Sequence, residues 1–74
     1  SDRKRKLTFK EKQEYEALGR DIEALEAEKA QLHEALASGQ LSVEEITAHS
    51  KRLPLLDEEL DEKSMRWLEL SEWA

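Results

Sequence analysis

The chain has 74 residues, of which 41% are charged and 5% aromatic, with a formal net charge of −6. So short a chain forms one small domain at most, and this charge-rich, aromatic-poor composition belongs to long solvated helices rather than to a substrate-enclosing enzyme. It contains no cysteine, which excludes a disulfide framework and thiolate metal sites, and no apolar run approaches the ~20 residues of a membrane span.

The first residues differ from the rest. Within residues 1–12, Arg3, Lys4, Arg5, Lys6, Lys10 and Lys12 stand against only Asp2 and Glu11, a local surplus of four positive charges that leaves a net −10 on residues 13–74. That split separates a basic arm, residues 1–7, from an acidic body, residues 8–74. The abrupt basic start without an initiator Met reads as a piece of a longer protein.

The body predicts two helices. Thr8-Phe9-Lys10-Glu11 is a capping box, in which Thr8 accepts from the third helical amide and Glu11 reaches back. The first helix then covers about 8–37. Gly19 inside it costs up to ~1 kcal/mol relative to Ala and allows a bend or a close helix approach. Ser38-Gly39 stops it, because glycine suits the left-handed residue after a helix end. Following a turn at 38–42, Ser42-Val43-Glu44-Glu45 is a second capping box, with Leu41 placed to staple onto Ile46. The second helix covers about 43–72. Pro54 lacks an amide proton and crowds the carbonyl of Ser50, so this helix is expected to be distorted there without giving way to a third element.

Apolar spacing predicts how the two helices meet. Tyr15, Leu18, Ile22, Leu25, Leu32 and Leu36 fall at steps of three and four, with Lys29 in the missing place; Ile46, Leu53, Leu56, Leu60, Trp67 and Leu70 continue the pattern. A period near 3.5 makes a narrow stripe that needs a partner helix. The nearest partner is the other half of the chain. The expected fold is all-α, a two-helix antiparallel intramolecular coiled-coil hairpin. Facing residues have numbers summing to roughly eighty, as chain reversal at Gly39 requires. Leu25 then meets Leu53 or Leu56, Leu18 meets Leu60, and Lys29 lies opposite His49 or Leu53. Tyr15 and Glu11 approach Lys63 and Trp67, while Phe9 lies near Leu70 and Trp73.

Few residues invite chemistry. His33 and His49 each lack a second histidine at metal spacing. Glu44-Glu45 and Asp57-Glu58-Glu59 sit at successive helix positions, which point apart and converge on no ion. There is no glycine-rich loop and no nucleophile set, so the chain is expected to be non-catalytic. The basic arm is either a solvated linker or a phosphate-binding cluster. In the second case Arg3, Lys4, Arg5, Lys6, Lys10 and Lys12 supply the contacts, with Lys51 and Arg52 beside Pro54 as a further patch. Trp67 and Trp73 are read as seam residues packed with Phe9 and Tyr15, or else as exposed stacking platforms.

The run from Arg3 through Lys6, Leu7-Thr8-Phe9-Lys10-Glu11 and Glu14 to Leu18 resembles the start of the C-terminal domain of Uup-type ABC-F ATPases. There a basic linker enters a K-L-S/T-Y/F-K-E-like motif. Ile22-Glu23-Ala24-Leu25-Glu26-Ala27-Glu28 is similar to the I-E-x-L-E-x-E stretch that follows, and Arg66-Trp67-Leu68-Glu69-Leu70 to a closing R-W-x-x-L element. The resemblance implies two upstream cassettes binding ATP and Mg, a cytoplasmic protein without membrane domains, and a role on DNA or ribosomal RNA. The tip here is shorter than in many members and the shaft is acidic. Those departures shift the nucleic-acid contact that the resemblance implies away from the shaft and toward residues 3–12. The alternative is a coiled coil that docks on its own cassettes or self-associates.

Overall fold

The structure, a computed structural model, describes residues 5–74; Arg3 and Lys4, with the rest of residues 1–4, lie outside the described residues. Two α-helices, α1 (Phe9–Ser38) and α2 (Val43–Ser71), are packed side by side in a rod measuring 57 × 17 × 15 Å. Both begin as the sequence predicts. The Thr8 hydroxyl accepts from the Glu11 amide at 3.1 Å while the Glu11 carboxylate accepts from the Thr8 amide at 2.9 Å. Ser42 and Glu45 repeat the arrangement at 3.1 and 2.9 Å. Each box satisfies donors that a helix start leaves without partners.

Gly39 ends α1 in the left-handed region, at φ 72°. Just before it the Ser38 hydroxyl donates to the Ala35 carbonyl at 2.6 Å and accepts from the Gln40 amide at 3.2 Å, which tightens the reversal. Pro54 lies inside α2, and the helix continues through it as one element. Both Pro54 and Ser50 are exposed. Water can therefore take the carbonyl of Ser50 that Pro54 cannot bond, and any bend the ring imposes is convex toward solvent.

The buried core is one thin row. Leu56 is fully enclosed, and Leu18 and Leu70 are buried with it. Other positions of the stripe, Ile22, Leu25, Leu32, Leu53 and Leu60, are half-buried, because two helices cover only one side of each other. Two seam assignments need correction. Phe9 is 76% exposed rather than packed near Leu70 and Trp73, since nine residues before Leu18 is half a turn off the seam at 100° per residue. Ile46 is also exposed, at 45%, although it stands one heptad before the half-buried Leu53.

Truncating Leu56 to Ala should destabilise the hairpin by ~2–5 kcal/mol, whereas Ile46→Ala should cost less than half as much. Urea unfolding followed by circular dichroism measures both. A Cβ added at Gly19 would meet only the Trp67 Nε1 atom at 3.7 Å, an ordinary contact. Gly19→Ala should therefore raise stability by roughly 0.5–1 kcal/mol in the same experiment.

Candidate nucleic-acid interface

Heptad spacing places Glu14, Asp21 and Glu28 along one flank of α1, and Arg52, Glu59 and Arg66 along the facing flank of α2. Three clusters tie that flank together. Arg66 grips Glu14 through two hydrogen bonds of 2.7 and 2.9 Å and reaches Glu69 at 3.2 Å. Arg52 grips Glu28 at 2.8 and 3.1 Å and approaches Glu59 at 3.6 Å. Lys63 meets Asp21 at 3.2 Å between them. Two-point guanidinium–carboxylate bonds fix geometry better than single surface ion pairs do.

The other flank is different. Its described inter-helix ion pair is Lys29 with Asp57, at 2.6 Å. Lys29 thus has an acidic partner one turn beyond the expected His49 or Leu53. Toward the open end, Tyr15 and Trp67 stack with ring centroids 5.2 Å apart and planes 17° from parallel. That contact bears out the packing expected of Trp67 with Tyr15, but without Phe9.

Beyond the stacked pair lies an open cavity of about 700 Å³, lined by Arg5, Lys6, Leu7, Lys12, Tyr15, Glu16, Glu72, Trp73 and Ala74. This is where the described part of the basic arm gathers. Arg5 hydrogen-bonds Glu11 at 2.7 Å and lies over the Trp73 ring at 5.1 Å, so it ties the arm to the end of α2. Lys6, Lys10 and Lys12 are exposed and make no ion pair among the described residues. Lys6 and Lys12 face one cavity; Lys10 is outside its lining. Lys51 is exposed on α2, remote in sequence from that end, and Arg52 beside it is held by Glu28 and Glu59. The sequence-predicted cations therefore divide between an end cluster and a mid-shaft pair, one member of which is already committed to carboxylates. His33 is exposed and His49 half-buried. Among the described residues no group of acids and histidines could hold a metal ion.

The ion pairs leave an electrostatic signature. Hydrogen bonds from Arg66 and Arg52 hold the Glu14 and Glu28 carboxyls below their ordinary value of 4.5. The Thr8 amide, then Arg5, does the same for Glu11, and the Ser42 amide for Glu45. Asp57 raises Lys29 by hydrogen-bonding its charged form. The unfolded chain takes up protons near the ordinary carboxylate value while these folded groups resist, so their stabilisation is complete above about pH 4.5 and is lost as pH falls through the lowered values. Urea midpoints measured between about pH 5 and pH 3 should drop with acid, and Glu14→Gln with Glu28→Gln should flatten that dependence.

A family model described as ABC transporter C-terminal domain matches residues 6–72. No curated protein and no solved structure matches the chain.

Proposed function

This chain belongs to the ABC transporter C-terminal domain family, and on that premise we propose that it is the nucleic-acid-contacting accessory domain of a cytoplasmic ABC-F ATPase of the Uup type. The opening motif Leu7-Thr8-Phe9-Lys10-Glu11 and the Arg66-Trp67 element support the finer assignment by their likeness to that group. In this reading the domain is non-catalytic, and ATP and Mg belong to cassettes elsewhere in the parent protein. Among the described residues no helix is long and apolar enough to cross a membrane.

The observation that carries the proposal is the convergence of Lys6 and Lys12 on one cavity with Trp73 and Tyr15. Ammonium groups neutralise phosphates, while an aromatic surface beside them offers a face for a base or sugar. Arg5 positions this end through Trp73 and Glu11. Arg3 and Lys4, neighbours of Arg5 in sequence, and Lys10 on the first turn of α1 add further positive charge in this reading. Lys51 and Arg52 are secondary, because Arg52 must leave Glu28 before it can meet a phosphate. Glu16 and Glu72 in the same cavity lower its potential, so affinity for any polyanion should be modest and strongly dependent on salt.

If the arm and Lys10 and Lys12 neutralise about four phosphates, log K against log salt should fall with a slope near −3.6 on duplex DNA, at ~0.9 per phosphate. Lys6→Gln with Lys12→Gln should reduce the slope by roughly 1.8 on the same reckoning and leave helicity unchanged. Fluorescence anisotropy over a salt series tests both. Salt-independent association would instead favour a docking module, since apolar contact lacks counterion release.

A further inference from the structure

The two flanks of the seam are built differently. One is closed by the Glu14–Arg66, Asp21–Lys63 and Glu28–Arg52 pairs. On the other, Gly19 of α1 carries no side chain and Ser64 of α2 carries a short one, so the helices leave a groove of about 410 Å³ between them. Its lining is Gly19, Ile22, Glu23 and Glu26 from α1, with Ser64, Trp67 and Leu68 from α2. Leu68 is 59% exposed, and Met65, three residues before it, is 69% exposed. The stacked Tyr15–Trp67 pair separates this groove from the basic cavity at the end of the rod.

Charge identifies the occupant. Glu23 and Glu26 are exposed and form no ion pair among the described residues, while Glu14, Asp21 and Glu28 on the closed flank each have a cation. Lys29 acts on Glu26 from a distance but bonds Asp57 instead, and carboxylates left beside an apolar trough repel acidic segments and favour lysine or arginine placed next to an apolar anchor. A second copy of this chain, at a net −6, is disfavoured by the same field. Polyanions are disfavoured too, which makes this surface distinct in ligand from the one assigned to nucleic acid.

We propose that the groove between Gly19, Ile22, Trp67 and Leu68 is a docking site for a basic amphipathic helix of a partner protein. Leucine-sized anchors spaced three and four apart fill the trough left by Gly19 and Ser64 and cover Leu68. Cationic side chains of the partner bridge to Glu23 and Glu26. The proposal does not depend on the nucleic-acid reading.

A synthetic helical peptide with leucines at three-four spacing and flanking lysines is the probe, measured by anisotropy without nucleic acid, with amide and indole NMR shifts to locate it. The Lys/Leu peptide should move the Trp67 indole and the Gly19 and Ile22 amides and leave Lys6, Lys10 and Lys12 unmoved. Leu68→Asp should weaken binding at least about tenfold, and Glu23→Gln with Glu26→Gln about fivefold. Both changes are at exposed positions, and unchanged circular dichroism confirms that the hairpin is intact. Absence of binding overturns the proposal, as does equal binding of a scrambled Lys/Leu peptide or of one with glutamates in place of lysines. Sedimentation showing a dimer that Leu68→Asp dissolves would assign the groove to a second copy and likewise overturn it.

Discussion

Two helices can bury only one strip of each other, and everything else in this structure follows from that limit. With Leu56, Leu70 and Leu18 as the covered row, apolar contact alone defines the packing weakly: a slip of one heptad would still place leucine on leucine. The flanks remove that ambiguity. Arg66 on Glu14 and Arg52 on Glu28 are two-point contacts separated by two heptads, and a slip would break both together. It would also set Glu59 against Glu14 or Glu28, depending on its direction. The energetic contribution of these pairs at the surface is small. Their contribution to choosing one alignment is not.

Much of this is legible in the sequence because the decisive devices are local. Capping boxes at Thr8 and Ser42 and the left-handed Gly39 need only a few consecutive residues, and all three stand where those residues predict. The antiparallel alignment is legible too, from stripe and turn together. Angular position is harder to see. Phe9 looks like a seam residue in a list of apolar positions, yet lies half a turn off the strip when helical phase is followed, while Ile46 keeps the phase of Leu53 and is exposed all the same. Arg52 looks like a free cation beside Lys51, although the ladder of Glu28, Asp21 and Glu14 facing Arg52, Lys63 and Arg66 is present in the sequence. Comparing acidic and basic heptad ladders across the expected turn finds it. The asymmetry of the flanks is hidden more deeply, since it depends on Gly19 and Ser64 lining the same stretch of the seam.

Side-chain chemistry divides along the rod in the same way. Cations and Trp73 meet at the open end, whereas the middle of one flank presents apolar surface edged by Glu23 and Glu26. In the readings proposed above, the end takes anions and the groove takes cations. Arg5 links the basic end to the helix start, because Glu11 serves both the Thr8 cap and the Arg5 guanidinium. Family membership covers nearly the whole of this arrangement, from residue 6 to residue 72.

The thinness of the core also governs how the domain responds to heat. Heat capacity rises on unfolding mainly through newly wetted apolar surface, and a fold with so few enclosed side chains has little to expose. Its stability curve is accordingly flat, its melting enthalpy small, and its thermal transition broad. Near the midpoint each molecule thus samples partly frayed helices over a wide span of temperature.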